Sequence, residues 1–164
     1  YNADQKANNI IKSNIVVKNS LINVFGSDSF INNKLNKKYI SKIIFNDKSK
    51  LRLINSIVHP IVSKDYNNWL LDQKCSYTIY ESAIIYETDT MNKFDKIIGV
   101  ISENELKISR LLKRGVDKLS ITNIMKNQAV DSEIIMISDF LIYNNLNNNL
   151  NKDVMIIHSN LLDH

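Results

Sequence analysis

Three short apolar runs along the chain are typical of buried strands. They are Tyr77–Glu87 (YTIYESAIIYE), Lys96–Ile101 and Phe140–Tyr143, and each is rich in aromatic and β-branched residues. None of them approaches the roughly 18 residues that a membrane span requires. Continuous apolar runs of this kind are expected in parallel sheets, where both faces of each strand are covered. The pattern therefore predicts the central strands of an α/β domain.

A capped helix follows the second run. Ser102 is predicted to be its N-cap, with Glu103 and Glu105 in the first turn, and its far end carries Arg110 and Arg114. A buried strand that leads into such a helix is the repeating unit of a parallel α/β sheet. The unit directs cations toward one edge of the sheet.

Most of the remaining chain is predicted to be helical, because its apolar residues recur every three to four positions. Gly26 is a usual C-terminal signal, and Ser27–Lys34 is expected to be a polar loop. We expect no strand between Asp4 and about Cys75. The predicted helices are Ser20–Phe25, Leu35–Phe45, Lys48–Val58, Ile61–Leu71, Ser120–Gln128, Ser132–Ile137 and Val154–Leu162.

The only proline in the sequence follows His59. Proline lacks an N–H group and disfavours helical geometry at the residue before it, so a helix is expected to end or kink at His59-Pro60. A histidine at such a bend is either a structural hydrogen-bonding residue or a ligand-binding one.

Composition and charge limit the class of protein. A chain of 164 residues with 44% hydrophobic content can bury a core, and we expect one domain. The one cysteine, Cys75, excludes an intramolecular disulfide and is predicted to be a small buried residue. The formal net charge is +4, but the lysines are scattered, which favours a solvated surface over a nucleic-acid site. We expect a cytoplasmic protein that binds neither nucleic acid nor a membrane.

Candidate chemistry is confined to a few charged residues. The sequence has no GxxxxGK[ST] or GxGxxG motif, no pair of histidines with metal-ligand spacing, and no serine with the flanking glycines of a nucleophile elbow. Asp4 and Glu87 each follow a predicted strand end, and Arg110 and Arg114 lie on the capped helix. Ligands bind at the carboxyl ends of parallel strands, and acids together with arginines suit a phosphorylated substrate. Asp4 is equally well explained as an N-cap or first-turn acid, and Glu87 as an interior structural acid.

A series of segments, in this order and with these spacings, resembles the dephospho-coenzyme A kinase family over nearly the whole chain. The resemblance implies a parallel-sheet P-loop kinase core, like that of nucleoside monophosphate kinases, with a helical substrate-binding insertion. It also implies a single domain over residues 1–164, with the insertion at about 5–74 and a lid at about 107–128. The segments are NAD at Asn2–Asp4, FG at Phe25-Gly26, LNKKYISKIIFND, LRLINSIVHPIV, ESAIIYE at Glu81–Glu87, KIIGVIS, RLLKR, NQ at Asn127-Gln128 and SDFLIYNN.

The resemblance also implies an activity and roles for individual residues. The family transfers the γ-phosphate of ATP to the ribose 3′-hydroxyl of dephospho-CoA, in the last step of coenzyme A synthesis. By resemblance, Asp4 accepts the hydroxyl proton, while Arg110 and Arg114 bind the ATP phosphates and offset the charge that develops on them. Asn144 lies where the last strand of the family meets the adenine of ATP.

Two further residues are assigned to the other substrate. His59 lies in the insertion that receives dephospho-CoA, and Glu87 ends the ESAIIYE segment.

The chain departs from the family at its start. The family carries a first strand and a glycine-rich loop upstream of the residue that corresponds to Asp4, and that loop holds the β-phosphate and Mg²⁺. We therefore expect ATP and Mg²⁺ as cofactors through a segment that this chain lacks, and expect the chain alone to be inactive. Asn2 stands where the family usually has Asp, which affects magnesium or substrate contacts.

Three other hypotheses remain open at this point. The first is a non-catalytic relative that binds coenzyme A or a nucleotide, and the second is another nucleotide or nucleoside kinase. The third is a protein that binds nucleic acid through its basic surface.

Overall fold

The computed structural model describes residues 1–86 and 90–163. It divides into two compact units, an N-terminal unit at Tyr1–Ser82 and a C-terminal unit at Ala83–His164. The division of residues 1–164 into one domain with an insertion and a lid stays a prediction. Among the described residues, none of the helices has the length and apolar character that crossing a membrane demands.

The N-terminal unit is built mainly from helices that pack around an apolar core. Asparagine or aspartate side chains cap the helix N-termini, as at Asn14, whose side-chain oxygen accepts hydrogen bonds from the backbone of Val16 and Val17. The buried core residues are Ala3, Val17, Leu21, Phe25, Ile40, Val58 and Val62. The elements are α1 (Ala3–Ser13), α2 (Ile15–Phe25), β1 (Phe30–Ile31), β2 (Lys34–Leu35), α3 (Lys37–Asn46) and α4 (Lys48–Leu71).

Proline does not end the long helix. The predicted end of a helix at His59-Pro60 is wrong, since α4 runs from Lys48 to Leu71 with Pro60 inside it. The alternative, a kink at the same place, stays a prediction. Val58 and Val62 on either side of the proline are 4% and 5% exposed. Burial of this apolar face against the core offsets the hydrogen bond that the proline nitrogen cannot make.

A small hairpin occupies the segment predicted to be a polar loop without strands. Phe30 pairs with Leu35 and Ile31 with Lys34 in an antiparallel arrangement. The turn residues Asn32 and Asn33 have φ values of 49° and 63°, the left-handed conformation that asparagine tolerates better than most residues. The Asn-Asn pair was therefore a hairpin signal that the prediction overlooked.

The predicted strand Tyr77–Glu87 is wrong over most of its length. Its pairing is limited to a parallel bridge between Glu81 and Asn2, supported by backbone hydrogen bonds from Ala3 N to Glu81 O (2.9 Å) and from Glu81 N to Tyr1 O (2.8 Å). Because the chain enters α1 at Ala3, the residues that follow Glu81 have no extended segment after Asn2 with which to pair. Residues 83–86 form a turn, and Glu87 lies outside the described residues.

The C-terminal unit contains a parallel pair of strands covered by helices. Strand β3 (Ile98–Ile101) pairs with β4 (Phe140–Tyr143) from Ile98 opposite Phe140 to Ile101 opposite Tyr143. The predicted strands Lys96–Ile101 and Phe140–Tyr143 are thus confirmed, the first with a later start. The helices are α5 (Asn104–Lys113), α6 (Lys118–Asn127), α7 (Asp131–Ile137) and α8 (Leu150–Leu162).

Helix α7 lies unusually close to β3 because a glycine allows it. A Cβ atom placed on Gly99 would lie 2.3 Å from Ser138 Oγ, 2.8 Å from Ile134 Cγ2 and 3.0 Å from Leu141 Cδ2. Such contacts are far shorter than van der Waals distances, so the packing of β3 depends on the absence of a side chain at this position.

Candidate functional site

The carboxyl ends of β3 and β4 bring four polar residues together in the C-terminal unit. Ser102 directly follows β3, and Asn144 and Asn145 directly follow β4. Arg110 reaches them from α5, with Nη2 donating to Asn144 Oδ1 (3.0 Å) and Nη1 to Ser102 Oγ (3.4 Å). We call Ser102, Arg110, Asn144 and Asn145 the strand-end cluster. The sequence predicted Arg110 and Asn144 as site residues, and the structure places them in direct contact.

Ser102 is not the helix N-cap that was predicted. The N-cap residue of α5 is Glu103, whose side chain makes no capping hydrogen bond. Ser102 is 8% exposed, and its hydroxyl lies 3.0 Å from Asn144 O and 3.2 Å from Asn145 Oδ1. The backbone N–H of Glu103 donates instead to Asn145 Oδ1 (3.0 Å), so a side chain from the end of β4 completes the start of α5.

Helix α5 becomes basic toward its C-terminus, with Lys107 near its middle, Arg110 and Lys113 in its last turn and Arg114 as its C-cap residue. Lys107 forms an ion pair with Asp131 (2.5 Å), which neutralises its charge. Arg114 is the exposed C-cap residue, one turn beyond Arg110, so the two arginines share one face of the helix. Within residues 1–86 and 90–163, neither guanidinium lies within 4.0 Å of a carboxylate. Among these residues, therefore, no acid forms an ion pair with either arginine.

Asp4 lies in the N-terminal unit, in the first turn of α1 and next to the bridge between Asn2 and Glu81. Of the two structural roles considered for it, the N-cap belongs to Asn2, whose side-chain oxygen accepts a hydrogen bond from Gln5 N (2.8 Å). The Asp4 carboxylate is exposed, and a negative charge in a first turn is favourable toward the helix dipole. Burial, followed by the charge of Asp4, raises the pKa of Tyr80.

Next to the bridge between Asn2 and Glu81, four rings form an aromatic cluster, made of Tyr1, Tyr66, Trp69 and Tyr80. The rings of Tyr1 and Tyr80 are stacked, with centroids 5.5 Å apart and an interplanar angle of 12°. Tyr66 meets Tyr80 edge-on at 4.8 Å, and Trp69 lies 5.4 Å from Tyr1. Aromatic pairs of this kind add to the stabilisation that burial gives. The cluster therefore holds α4 against Tyr1 and Tyr80, the residues next to the bridge between Asn2 and Glu81.

A hydrogen bond and an ion pair also join these elements. The Tyr1 hydroxyl donates to Asp65 Oδ2 (2.7 Å), and Lys6 Nζ lies 3.3 Å from the same carboxylate. The hydrogen bond from Tyr1, and then Lys6, lowers the pKa of Asp65, while burial and the Asp65 carboxylate raise the pKa of Tyr1. Lys6 lies in α1, Tyr1 lies two residues before that helix, and Asp65 lies in α4, so these contacts link α1 and the start of the chain to α4.

Two predicted site residues and the cysteine complete the comparison with the sequence. His59 is half-buried within α4, and Glu87 lies outside the described residues. Cys75 is exposed, so its prediction as a buried residue is wrong. Among residues 1–86 and 90–163, no three His, Cys, Asp or Glu side chains are grouped so that they could hold a metal ion.

Sequence reasoning missed Ser102 and Asn145 as members of the strand-end cluster. The available signal was positional, since a serine follows one predicted strand and an Asn-Asn pair follows the next. Parallel neighbours end at the same edge of a sheet, so polar residues just beyond both ends are expected to meet. The aromatic cluster left no comparable pattern, because its members lie up to 79 positions apart.

Comparison with known proteins identifies the family. The family model for dephospho-CoA kinase matches residues 1–150. A dephospho-CoA kinase from Gamma-proteobacterium EBAC31A08 is 31% identical over 164 residues, covering 98% of this chain and 83% of that protein.

Solved structures agree at the level of the fold. TT1252 from Thermus thermophilus matches with a TM-score of 0.80 and 16% identity, over 99% of this chain and 82% of that one. Dephospho-CoA kinase from Campylobacter jejuni matches with a TM-score of 0.60 and 19% identity, over 96% of this chain and 82% of that one. The predicted α/β parallel-sheet kinase fold is therefore confirmed. With a family model that spans residues 1–150, the chain belongs to the dephospho-CoA kinase family.

Proposed function

We propose that this protein transfers the γ-phosphate of ATP to the ribose 3′-hydroxyl of dephospho-CoA. The observation that carries the proposal is the family match, which extends over residues 1–150 and so includes both the first turn of α1 and the strand-end cluster. Phosphoryl transfer depends mainly on positioning and on stabilising charge, and arginines at the carboxyl ends of parallel strands suit both tasks.

Arg110 and Arg114 are the proposed phosphate-binding residues. Both lie at the basic end of α5, and the Arg110 guanidinium is held by the neutral oxygens of Ser102 and Asn144. A guanidinium has five N–H donors, so donors remain on Arg110 for phosphate oxygens. Asn144 is the proposed adenine contact, since its position at the end of β4 places an amide beside the same arginine.

Asp4 is the proposed general base. In the reaction, the ribose oxygen forms a bond to the γ-phosphorus, the bond between that phosphorus and the β,γ-bridging oxygen breaks, and ADP leaves. The proton of the hydroxyl passes to the Asp4 carboxylate, which is exposed and therefore accessible to a substrate. The aromatic cluster, which includes Tyr1, supports the backbone just before Asp4.

His59 and Glu87 are proposed to contact dephospho-CoA, His59 from the long helix α4 of the helical insertion. ATP is the proposed phosphate donor, with Mg²⁺ as its expected counter-ion. No described group of residues fits a protein-held metal, so no residue is assigned to Mg²⁺ and no step depends on it. A cytoplasmic location stays a prediction.

The test is an assay of the protein expressed from its complete coding sequence, with ATP, Mg²⁺ and dephospho-CoA, and with coenzyme A detected by mass spectrometry. We expect ATP-dependent formation of coenzyme A. Asp4→Asn is expected to lower kcat by about 10²- to 10⁴-fold, because the carboxylate can no longer accept the proton. Asp28→Asn, which changes another exposed carboxylate of the same unit, is the matched control and is expected to leave kcat unchanged.

Two outcomes would contradict different parts of the proposal. Normal turnover by Asp4→Asn would refute the assignment of the base. Binding of dephospho-CoA in a calorimeter, without any product in the assay, would instead support a non-catalytic binding protein.

A further inference from the structure

We infer that Ser102, assisted by Asn145, is a positioning residue that orients the Arg110 guanidinium for an anionic ligand. The inference rests on the proposed function for its consequence in catalysis, but the positioning itself is a property of the strand-end cluster. Neither residue was among the predicted site residues, and both are held by contacts at the ends of β3 and β4.

The first step of the argument is the hydrogen-bond capacity of the Ser102 hydroxyl. A hydroxyl has one proton and two acceptor lone pairs. It donates to one of the two nearby oxygens, Asn144 O at 3.0 Å or Asn145 Oδ1 at 3.2 Å, and accepts from Arg110 Nη1 at 3.4 Å. A buried hydroxyl with these partners has a fixed orientation, since rotation would leave it without a partner.

The second step concerns the guanidinium itself. Two hydrogen bonds hold the Arg110 guanidinium, one from Nη1 to Ser102 Oγ and one from Nη2 to Asn144 Oδ1 (3.0 Å). The two oxygens come from the ends of different strands, so the plane of the guanidinium is set by the sheet. A guanidinium has five N–H donors in a fixed plane, so the remaining donors are ordered together with it before any ligand arrives.

The third step concerns charge. Both oxygens are neutral, whereas Lys107, one turn earlier on α5, is neutralised by Asp131 at 2.5 Å. Within the described part of the chain, no acid lies within 4.0 Å of the Arg110 guanidinium. The cluster therefore orders the arginine without cancelling its charge, which is the arrangement that favours binding of a phosphate.

Asn145 supports Ser102 and the helix together. Its Oδ1 lies 3.2 Å from Ser102 Oγ and accepts from Glu103 N at 3.0 Å. Because the Glu103 side chain makes no capping hydrogen bond, Asn145 fixes the start of α5, which carries Arg110 two turns later.

The test compares Ser102→Ala with Ser138→Ala. Ser138 Oγ also makes a hydrogen bond within the C-terminal unit, to Ile134 O at 2.6 Å, but has no contact with Arg110. Both variants lose a hydroxyl, so both are expected to lower thermal stability. Ser102→Thr keeps the hydroxyl and is the conservative variant expected to restore the behaviour of the parent.

The first measurement is NMR of the arginine side chains in the protein without ligand. Ordering by hydrogen bonds slows rotation of the guanidinium, so the Arg110 Nη signals are expected to be sharp and separate in the parent and in Ser138→Ala. In Ser102→Ala they are expected to merge or to shift toward those of a free arginine. Unchanged Arg110 signals in Ser102→Ala would overturn the inference.

The second measurement is steady-state kinetics with ATP and dephospho-CoA. Ser102→Ala is expected to lower kcat/KM for ATP about fivefold, the effect of losing one hydrogen bond, and to leave KM for dephospho-CoA unchanged. Ser138→Ala is expected to leave both kinetic constants unchanged. In an Arg110→Lys background, Ser102→Ala is expected to add nothing, because the group that it positions is gone. Additive losses in the double variant would overturn the inference. If the parent forms no coenzyme A, the proposed function falls, and the NMR comparison alone decides whether Ser102 positions Arg110.

Discussion

Gly99→Ala tests the close approach of α7 to β3, and its cost follows from the structure. The new Cβ would lie 2.3 Å from Ser138 Oγ, 2.8 Å from Ile134 Cγ2 and 3.0 Å from Leu141 Cδ2. Overpacking of this kind costs about 1–3 kcal/mol, and loss of the flexibility of glycine in the unfolded chain offsets about 0.4–1 kcal/mol. The midpoints of these ranges leave a net destabilisation of about 1.3 kcal/mol. This corresponds to a fall in Tm of about 3–5 °C for a chain of this size.

The assay must report on the C-terminal unit. The only tryptophan, Trp69, lies in the N-terminal unit, so its fluorescence is a poor probe of Gly99. Far-UV circular dichroism during urea or thermal unfolding follows the helices of both units.

Relief of the clash provides a second, sharper comparison. Ser138→Ala removes the atom nearest to the new Cβ, so Gly99→Ala should cost less in a Ser138→Ala background than in the parent. Ile134 and Leu141 still lie too close, so the rescue is expected to be partial. A Gly99→Ala protein as stable as the parent would refute the packing argument, and equal costs in both backgrounds would show that Ser138 is not the limiting contact.

Two further predictions concern the N-terminal unit. The pKa of Tyr1 is raised by burial and by Asp65, so the folded chain keeps a phenolic proton that the unfolded chain releases above the usual value of 10.0, and stability is expected to fall as the pH rises beyond that value. Tyr1→Phe should make this loss of stability smaller, whereas Tyr143→Phe in the other unit should not. The measurement is urea unfolding followed by Trp69 fluorescence from about pH 8 to about pH 11. If stability falls with pH as steeply in Tyr1→Phe as in the parent, the assignment is contradicted. Asn33→Val and Asn33→Gly both lose the hydrogen bond that Lys18 Nζ donates to Asn33 Oδ1 (2.6 Å). Because φ at this position is 63°, Asn33→Val is expected to be about 1–2 kcal/mol less stable than Asn33→Gly. Equal stability of the two variants by the same fluorescence assay would show that the turn conformation is not limiting.

Local patterns predicted the elements whose partners are close in sequence or strongly apolar. Phe140–Tyr143 was predicted with its observed bounds, and Ser132–Ile137 differs from α7 by one residue at its start. In both segments, the apolar period and the flanking polar residues agree with the burial that the fold imposes.

The errors arose where contacts distant in sequence decide the local structure. Ser102 has the sequence context of an N-cap, but its hydroxyl is taken by residues 42 and 43 positions away. Tyr77–Glu87 has a strand-like composition, yet the residues after Glu81 have no extended partner because α1 begins directly after Asn2. Pro60 was read from its local effect on a helix, while the burial of Val58 and Val62 decides the outcome.

The candidate site was predicted in part for the same reason. Arg110 was found because a basic helix end is visible in the sequence, and Asn144 because of the resemblance to the family. The network that orders Arg110 was not, since it depends on the register between β3 and β4, and no pattern within either strand fixes that register.

The pairing of Asn2 with Glu81 means that the two ends of the N-terminal unit lie side by side. The helices and the hairpin between these residues therefore form one closed loop of structure. Doubling the length of a flexible loop costs only about 0.6 kcal/mol in closure entropy, so segments can be lengthened or replaced there without separating Asn2 from Glu81. The backbone beside Asp4 can then stay in place while the helices change, and the same junction is a suitable place for grafting a foreign helical segment.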